Sequence, residues 1–243
     1  MTITLYTFLY NEETILPYFL KHYSQYVNKM VIYNNMSTDG SIDILKNWKE
    51  CEIEIIDYNT DNQYDEGTLM NFRNNCWKDC DSDYVIVCDM DELLYHPDLM
   101  NFIKKQSYVD YFTPTGYDMI GEEIPTDYTK QIYDIIKVGT KNIGYSKCVL
   151  FKRKNVKETN YSAGSHMSSF QGTERLINCT TDELKLLHYK WLTFDYVYDK
   201  HTLYGERRSQ DSRNNRWGSH YGLSKERMMR DYNELKEQSK TII

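Results

Sequence analysis

Two hydrophobic rhythms alternate along the N-terminal part of the chain. Ile3-Thr4-Leu5-Tyr6-Thr7-Phe8-Leu9 reads as a strand, and Ile15, Leu16, Phe19, Leu20, Tyr23 and Val27 then recur near the helical period. Asn11 is placed to cap that helix, with Glu12 and Glu13 in its first turn, where the macrodipole favours acids. Lys29-Met30-Val31-Ile32-Tyr33 predicts a second strand, and the polar turn at residues 34–41 opens a helix through Ile42, Leu45 and Trp48. Residues 53–58 give a third strand, residues 69–77 a third helix, and Tyr84-Val85-Ile86-Val87-Cys88 a fourth strand, apolar throughout. This order predicts a doubly wound, largely parallel sheet with right-handed crossovers.

Beyond it the rhythm loosens. His96-Pro97 starts a helix with Leu99, Phe102 and Ile103 on one face, and residues 108–114 read as a strand. Residues 115–147 mix glycine, acids and aromatics, which predicts hairpin and loop. Residues 147–152 and 184–189 are further strand candidates, the latter delivering His188 near its end, and helices are expected over residues 193–204 and 224–240. Between these helices the arginine-rich stretch 205–219 is either a surface loop or a lid. The predicted organisation is one main domain, residues 1–204, with a C-terminal loop and helix, 205–243, packed on it.

Composition narrows the partners. With 243 residues, 40% hydrophobic and 27% charged, the chain can bury a sizeable core. Its 29 Lys plus Arg against 36 Asp plus Glu, a net charge of −7, argue against a general nucleic-acid surface, so any polyanion must be met locally. No apolar stretch reaches the ~18 residues of a membrane span, and no signal-peptide pattern opens the sequence, so the expected compartment is the cytoplasm. Cys51, Cys76, Cys80, Cys88, Cys148 and Cys179 form no CxxC pair and indicate neither zinc nor a disulfide framework. Sequons at Asn35, Asn160 and Asn178 carry little weight without a secretory route.

The chemistry concentrates behind the fourth strand, in Asp89-Met90-Asp91-Glu92. Open α/β sheets bind ligands beyond the carboxyl ends of their strands, and carboxylates two residues apart on extended backbone can both approach one hard cation. A divalent ion clamping a diphosphate is one reading. A cap for the helix near Pro97, or a solvated turn, is the other.

Tyr10-Asn11-Glu12-Glu13, the turn at 34–41, Met70-Asn71-Phe72-Arg73-Asn74 and Asp89-Met90-Asp91-Glu92, in that order, resemble a family 2 type glycosyltransferase with a GT-A fold. Gly164-Ser165-His166, followed by Leu187-His188-Tyr189 and a helix reaching Lys200, is similar to the family 2-like or family 92-like subgroup. The resemblance spans Ile3 to about Lys200; the tail from Arg207 onward matches no family pattern.

The resemblance implies a mostly parallel GT-A sheet flanked by helices, a smaller mixed-β acceptor side and C-terminal helices. It implies metal-dependent transfer of a sugar from a nucleoside diphosphate sugar, UDP being the expected carrier, to a hydroxyl on a glycan or glycoconjugate, with inversion. Thr7, Leu9 and Glu12 would line the base and ribose pocket. Asn34 stands where the family carries an acid, so Asp39 or Asp57 is a candidate to share that role. Arg73 either contacts the diphosphate or makes a structural ion pair. Asp91 is the expected direct metal ligand, with Asp89 on the ribose or reaching the ion through water, and His188 third. A histidine ending an apolar run is otherwise a core residue, and an imidazole among carboxylates suits Mn²⁺ better than Mg²⁺. His166 competes with His188, or touches the acceptor or the diphosphate.

Inversion needs a base on the acceptor side, for which Asp118, Glu122 and Glu174 are candidates, each also readable as a solvated acid. Tyr10, Tyr117 and Trp191 could stack on a sugar or base. Arg207, Arg208, Arg213 and Arg216 either close over a diphosphate or pair with local acids. Two other classes fit the same signals: a non-catalytic carbohydrate- or nucleotide-binding scaffold, and a metal-dependent sugar nucleotidyltransferase.

Overall fold

Strand β1 (Ile3–Leu9) is apolar on both faces and therefore takes the middle of the structure. In a computed structural model that describes residues 1–243, Ile3, Leu5 and Leu9 face one core and Tyr6 the other. Helix α1 (Leu16–Tyr23) follows, then β2 (Lys29–Asn34), α2 (Ser41–Asn47), β3 (Glu52–Asp57), α3 (Glu66–Asn75) and β4 (Tyr84–Val87). The four strands are parallel, in the order β3-β2-β1-β4. Leu16, Phe19, Leu20 and Tyr23 of α1 and Leu45 of α2 fill the first core, while Phe72 of α3 and Trp77 fill the second, so helices cover both faces. Each such side chain taken fully out of water contributes ~1.5–3 kcal/mol.

The second half extends the sheet. It comprises β5 (Glu92–Tyr95), α4 (Leu99–Lys105), β6 (Tyr111–Ile120), α5 (Ile132–Ile135), β7 (Val138–Lys141), β8 (Leu150–Lys152), β9 (Val156–Glu158) and β10 (Gln171–Gly172). After these come β11 (Asn178–Trp191), α6 (Phe194–Arg207), α7 (Gln210–Asn214), α8 (Lys225–Gln238) and β12 (Lys240–Thr241). Strand β8 lies antiparallel between β4 and β6, β7 and β12 continue from β6, and β11 runs parallel to β6 while pairing antiparallel with β5. In the ten-stranded sheet only β5, β7 and β8 oppose the common direction, so the sheet is mostly parallel, as the alternation predicts.

Several local expectations are corrected. Asn11 does not cap α1: it adopts a left-handed φ of 51° and bonds Thr38 through its side chain, while α1 starts beyond Ile15 with no acid in its first turn. The carboxylates after β4 do not cap a helix either, because β5 intervenes and α4 begins behind Asp98. The hairpin expected within 115–147 is present as β6 against β7, with β6 itself starting earlier at Tyr111, whereas β11 reaches well N-terminal of residue 184. Helix α6 runs unbroken through residue 204, and α8 docks Met228 and Tyr232 against Ile120, Phe194 and Val197. No helix is long and apolar enough to cross a membrane.

Candidate active site

The turns at the carboxyl ends of β1 and β4, the end of β11, and helices α3 and α6 enclose a cavity of about 390 Å³. That is within the ~300–1,000 Å³ range of small-molecule sites. One wall is a chain of buried ion pairs. Arg73 of α3 bonds Glu66 at 3.0 Å and Asp89 at 2.9 Å, and Lys147 reaches Asp89 at 3.1 Å and Glu92 at 2.5 Å. Glu66 also accepts from the Tyr64 hydroxyl and the Gly164 amide. Burial alone would raise the Asp89 carboxyl, but Arg73 and Lys147 hold it well below the usual carboxylate range.

Asp91 belongs to a different set. Its Oδ2 lies 3.5 Å from His188 Nε2, and His188 Nδ1 lies 3.0 Å from Asp118 Oδ1. The register explains the convergence, since His188 on β11 stands opposite Glu92 on β5 and Asp118 on β6. Asn142 donates to the other Asp118 oxygen at 2.6 Å, and the Tyr145 ring lies against the imidazole with centroids 4.1 Å apart. Gly116 makes this packing possible: a Cβ there would come within 2.3 Å of the Tyr145 backbone. Burial works against the imidazolium, yet Asp91 and Asp118 outweigh it and raise His188 to about 9.

The expected metal can be tested against these donors. Two ligands of one ion, each ~2.1 Å from it, stand ~3 Å or slightly more apart, which suits Asp91 Oδ2 and His188 Nε2. Asp118 behind Nδ1 is the carboxylate that fixes a ligating histidine's orientation. Metal and proton compete for Nε2. Asp89 does not suit a direct ligand, because both of its oxygens are held by cations. No third His, Cys, Asp or Glu joins the pair, so an ion held there would have to take its remaining ligands from bound-ligand oxygens and water.

The remaining predicted residues scatter. Glu12 lines the cavity, held by Lys200 at 2.7 Å and by the Tyr204 hydroxyl at 3.2 Å. His166 lines it too, with Nδ1 2.7 Å from the Gly144 carbonyl. Thr7 and Leu9 are buried within the sheet and do not reach the cavity. Asn34 and Asp57 bond each other at 2.9 Å across the ends of β2 and β3, and Asp39 accepts from the Ser41 and Glu13 amides, tying the turn after β2 to the turn after β1; none of the three lines the cavity. Of the candidate bases, Asp118 sits behind His188. Glu122 is a surface residue paired with Lys236, because the chain turns outward after β6, and Glu174 lies exposed between β10 and β11. Neither lines the cavity.

Sequence reasoning assigned no role to Lys147, Lys190, His201, Tyr204 or Tyr221, all of which line the cavity. The signal available was a lysine beside an apolar run: Lys147 before Cys148-Val149-Leu150, and Lys190 after Leu187-His188-Tyr189. None of Arg207, Arg208, Arg213 and Arg216 makes an ion pair with an acid. Arg207 lies 3.2 Å over the Tyr10 ring and bonds Asn62, while Arg208 and Arg213 donate to backbone carbonyls of the same segment. Arg216 lines the cavity.

No family model and no curated protein matches the chain. Among solved structures it is similar to TarS residues 1–349 from S. aureus, at 13% identity and TM-score 0.47, covering 85% of this chain and 65% of that one. It is also similar to HddC from Yersinia pseudotuberculosis, at 14% identity and TM-score 0.43, covering 77% and 93%. A third is 4-diphosphocytidyl-2C-methyl-D-erythritol synthase from Anaerococcus prevotii, at 13%, 0.36, and 63% and 72% coverage. The chain thus spans just under two thirds of the TarS fragment and 39% of the longer TarS structure. Likeness at this level decides nothing about activity. The fold stands on its own topology: mixed α/β, with four parallel strands in the order 3-2-1-4, an antiparallel β8 beside β4, and helices flanking a mostly parallel ten-stranded sheet.

Proposed function

We propose that the protein is a metal-dependent glycosyltransferase of the family 2-like or family 92-like kind. It takes a sugar from a nucleoside diphosphate sugar, with UDP as the expected carrier, and passes it to a hydroxyl on a glycan or glycoconjugate. One observation carries this reading: Asp91 and His188, 3.5 Å apart and backed by Asp118, open into a nucleotide-sized cavity on the sheet's carboxyl edge. A divalent ion held there by Asp91 and His188 would neutralise the leaving diphosphate.

The chain's own residues supply the rest. Arg73 and Lys147 fix Asp89 beside the site, and Lys200 fixes Glu12. Every carboxylate on the cavity wall is engaged by a cation or by hydrogen-bond donors. His166 is the better base: its Nδ1–H donates to the Gly144 carbonyl, which leaves the Nε2 lone pair free, and burial together with Lys147 lowers its pKa.

The test is UDP binding with and without Mn²⁺. Mn²⁺ is expected to strengthen it, and Asp91→Asn to abolish the gain. Binding indifferent both to the metal and to that substitution would sink the metal clamp. A panel of nucleotide sugars then identifies the donor by metal-dependent turnover.

A further inference from the structure

Three lysines line the cavity, and they differ in one respect. Lys147 is paired with Asp89 and Glu92, and Lys200 with Glu12, but Lys190 makes no ion pair. Its Nζ lies 5.0 Å over the Trp191 ring, and two histidines line the cavity with it. His201 of α6 is 5% exposed and neither ring nitrogen has a partner. The His220 ring, from the 3-10 turn Ser219–Gly222 that roofs the cavity, lies 5.5 Å from it. The roof is held tightly to α6: a Cβ at Gly205 would come within 2.6 Å of the Tyr221 carbonyl oxygen.

We infer that Lys190, His201 and His220 form a phosphate-binding subsite of the cavity. A largely buried ammonium without a counter-ion is costly, and an imidazole with two unmet nitrogens adds to that cost. A neutral ligand would relieve the imidazole and leave the charge. A phosphate group relieves both, because its several acceptor oxygens can meet donors converging from β11, α6 and the roof. The subsite deepens the proposed function by naming a phosphate contact within the same cavity, supplied either by the donor diphosphate or by a phosphate-bearing acceptor.

The experiment titrates inorganic pyrophosphate, inorganic phosphate and UDP into the full chain, with a chelator present so that no metal contributes. Variants are Lys190→Met, Lys190→Arg and His201→Gln, each checked for folding by its thermal transition. Lys190→Met is expected to weaken pyrophosphate ~10-fold or more, Lys190→Arg to restore most of it, and His201→Gln to cost a smaller factor. UDP binding that falls in parallel assigns the phosphate to the donor. UDP binding that holds, while phosphate binding to the UDP-saturated protein is lost, assigns it to the acceptor. Pyrophosphate and phosphate binding unchanged in both Lys190→Met and His201→Gln, or absent from the unmodified protein, overturns the subsite. Pyrophosphate binding that depends on Lys190 in a protein that binds no UDP keeps the subsite and removes the glycosyltransferase reading.

Discussion

The two walls of the cavity use the same residue types in opposite ways. On the β4–β5 side every charge has a partner: Arg73, Glu66, Asp89, Lys147 and Glu92 form one chain of contacts between 2.5 and 3.1 Å. On the β11–α6 side Lys190 has no carboxylate, His201 has no hydrogen bond, and Arg207 leaves its buried Nη2 unmet. The first wall is complete without a ligand, which makes it a frame. The second is left in deficit by folding, which is the condition under which a ligand adds stability rather than displacing an existing contact.

Removing one lysine from each wall is the strongest way to break this contrast. Lys147→Met strands Glu92, which is 1% exposed, beside a half-neutralised Asp89, and is expected to destabilise the fold by ~3–5 kcal/mol. Lys190→Met removes a charge that no carboxylate contacts directly and that rests only on the Trp191 ring, 5.0 Å from its Nζ, so stability should change by less than ~1 kcal/mol or increase. Urea unfolding of the two variants measures both. Equal losses would mean that the walls do not differ and that Lys190 has a structural partner.

The contrast also explains which parts of the protein were readable in the sequence. The strands β1, β2 and β4 were legible because each is apolar enough to be buried by local pattern alone, β3 because its isoleucines alternate with acids, and Asp91 and His188 because they end or follow apolar runs. Strand β5 was not, since Glu92 opens it and its buried charge is met by Lys147, from a distant part of the chain, with the Asp89 amide on its other oxygen. The N-terminal part of β11 was hidden by its polar residues Thr180, Thr181, Asp182 and Glu183, and its pairing with β6 is a long-range fact. For the same reason no local pattern separates Lys147 from Lys190. Both are lysines beside apolar residues, and only the fold decides which one receives a counter-ion.

Asp118 sharpens the comparison from between the walls. As a catalytic base, its loss would slow turnover and leave metal affinity alone. As the group that orients His188, its loss should act on the metal first. With Nδ1 3.0 Å from Asp118 and no cavity access for that carboxylate, Asp118→Asn is expected to weaken Mn²⁺ binding in the presence of UDP by ~10–100-fold. A Mn²⁺ titration read by electron paramagnetic resonance checks it. Unchanged affinity with reduced turnover would return Asp118 to the role of base.

The core supplies the reference against which unmet donors on the β11–α6 wall can be judged. His22 of α1 is fully buried, with Nε2 3.0 Å from the Leu94 carbonyl and Nδ1 without a partner. Burial lowers its pKa from 6.5 to about 4, and the bond to Leu94 offsets only part of that. The unfolded chain therefore binds this proton more readily than the folded one. No stability is lost to this group above pH 6.5, and the loss grows as the pH falls toward 4, reaching about 2 kcal/mol at pH 5. Urea midpoints at pH 7 and pH 5 should differ less in His22→Gln than in the unmodified protein. Pyrophosphate should leave the His22 share untouched, since His22 lies outside the cavity, whereas it should stabilise the fold at both pH values through Lys190. An identical pH loss in both proteins would place the acid sensitivity elsewhere, with the buried imidazole of His201 as the next group to replace.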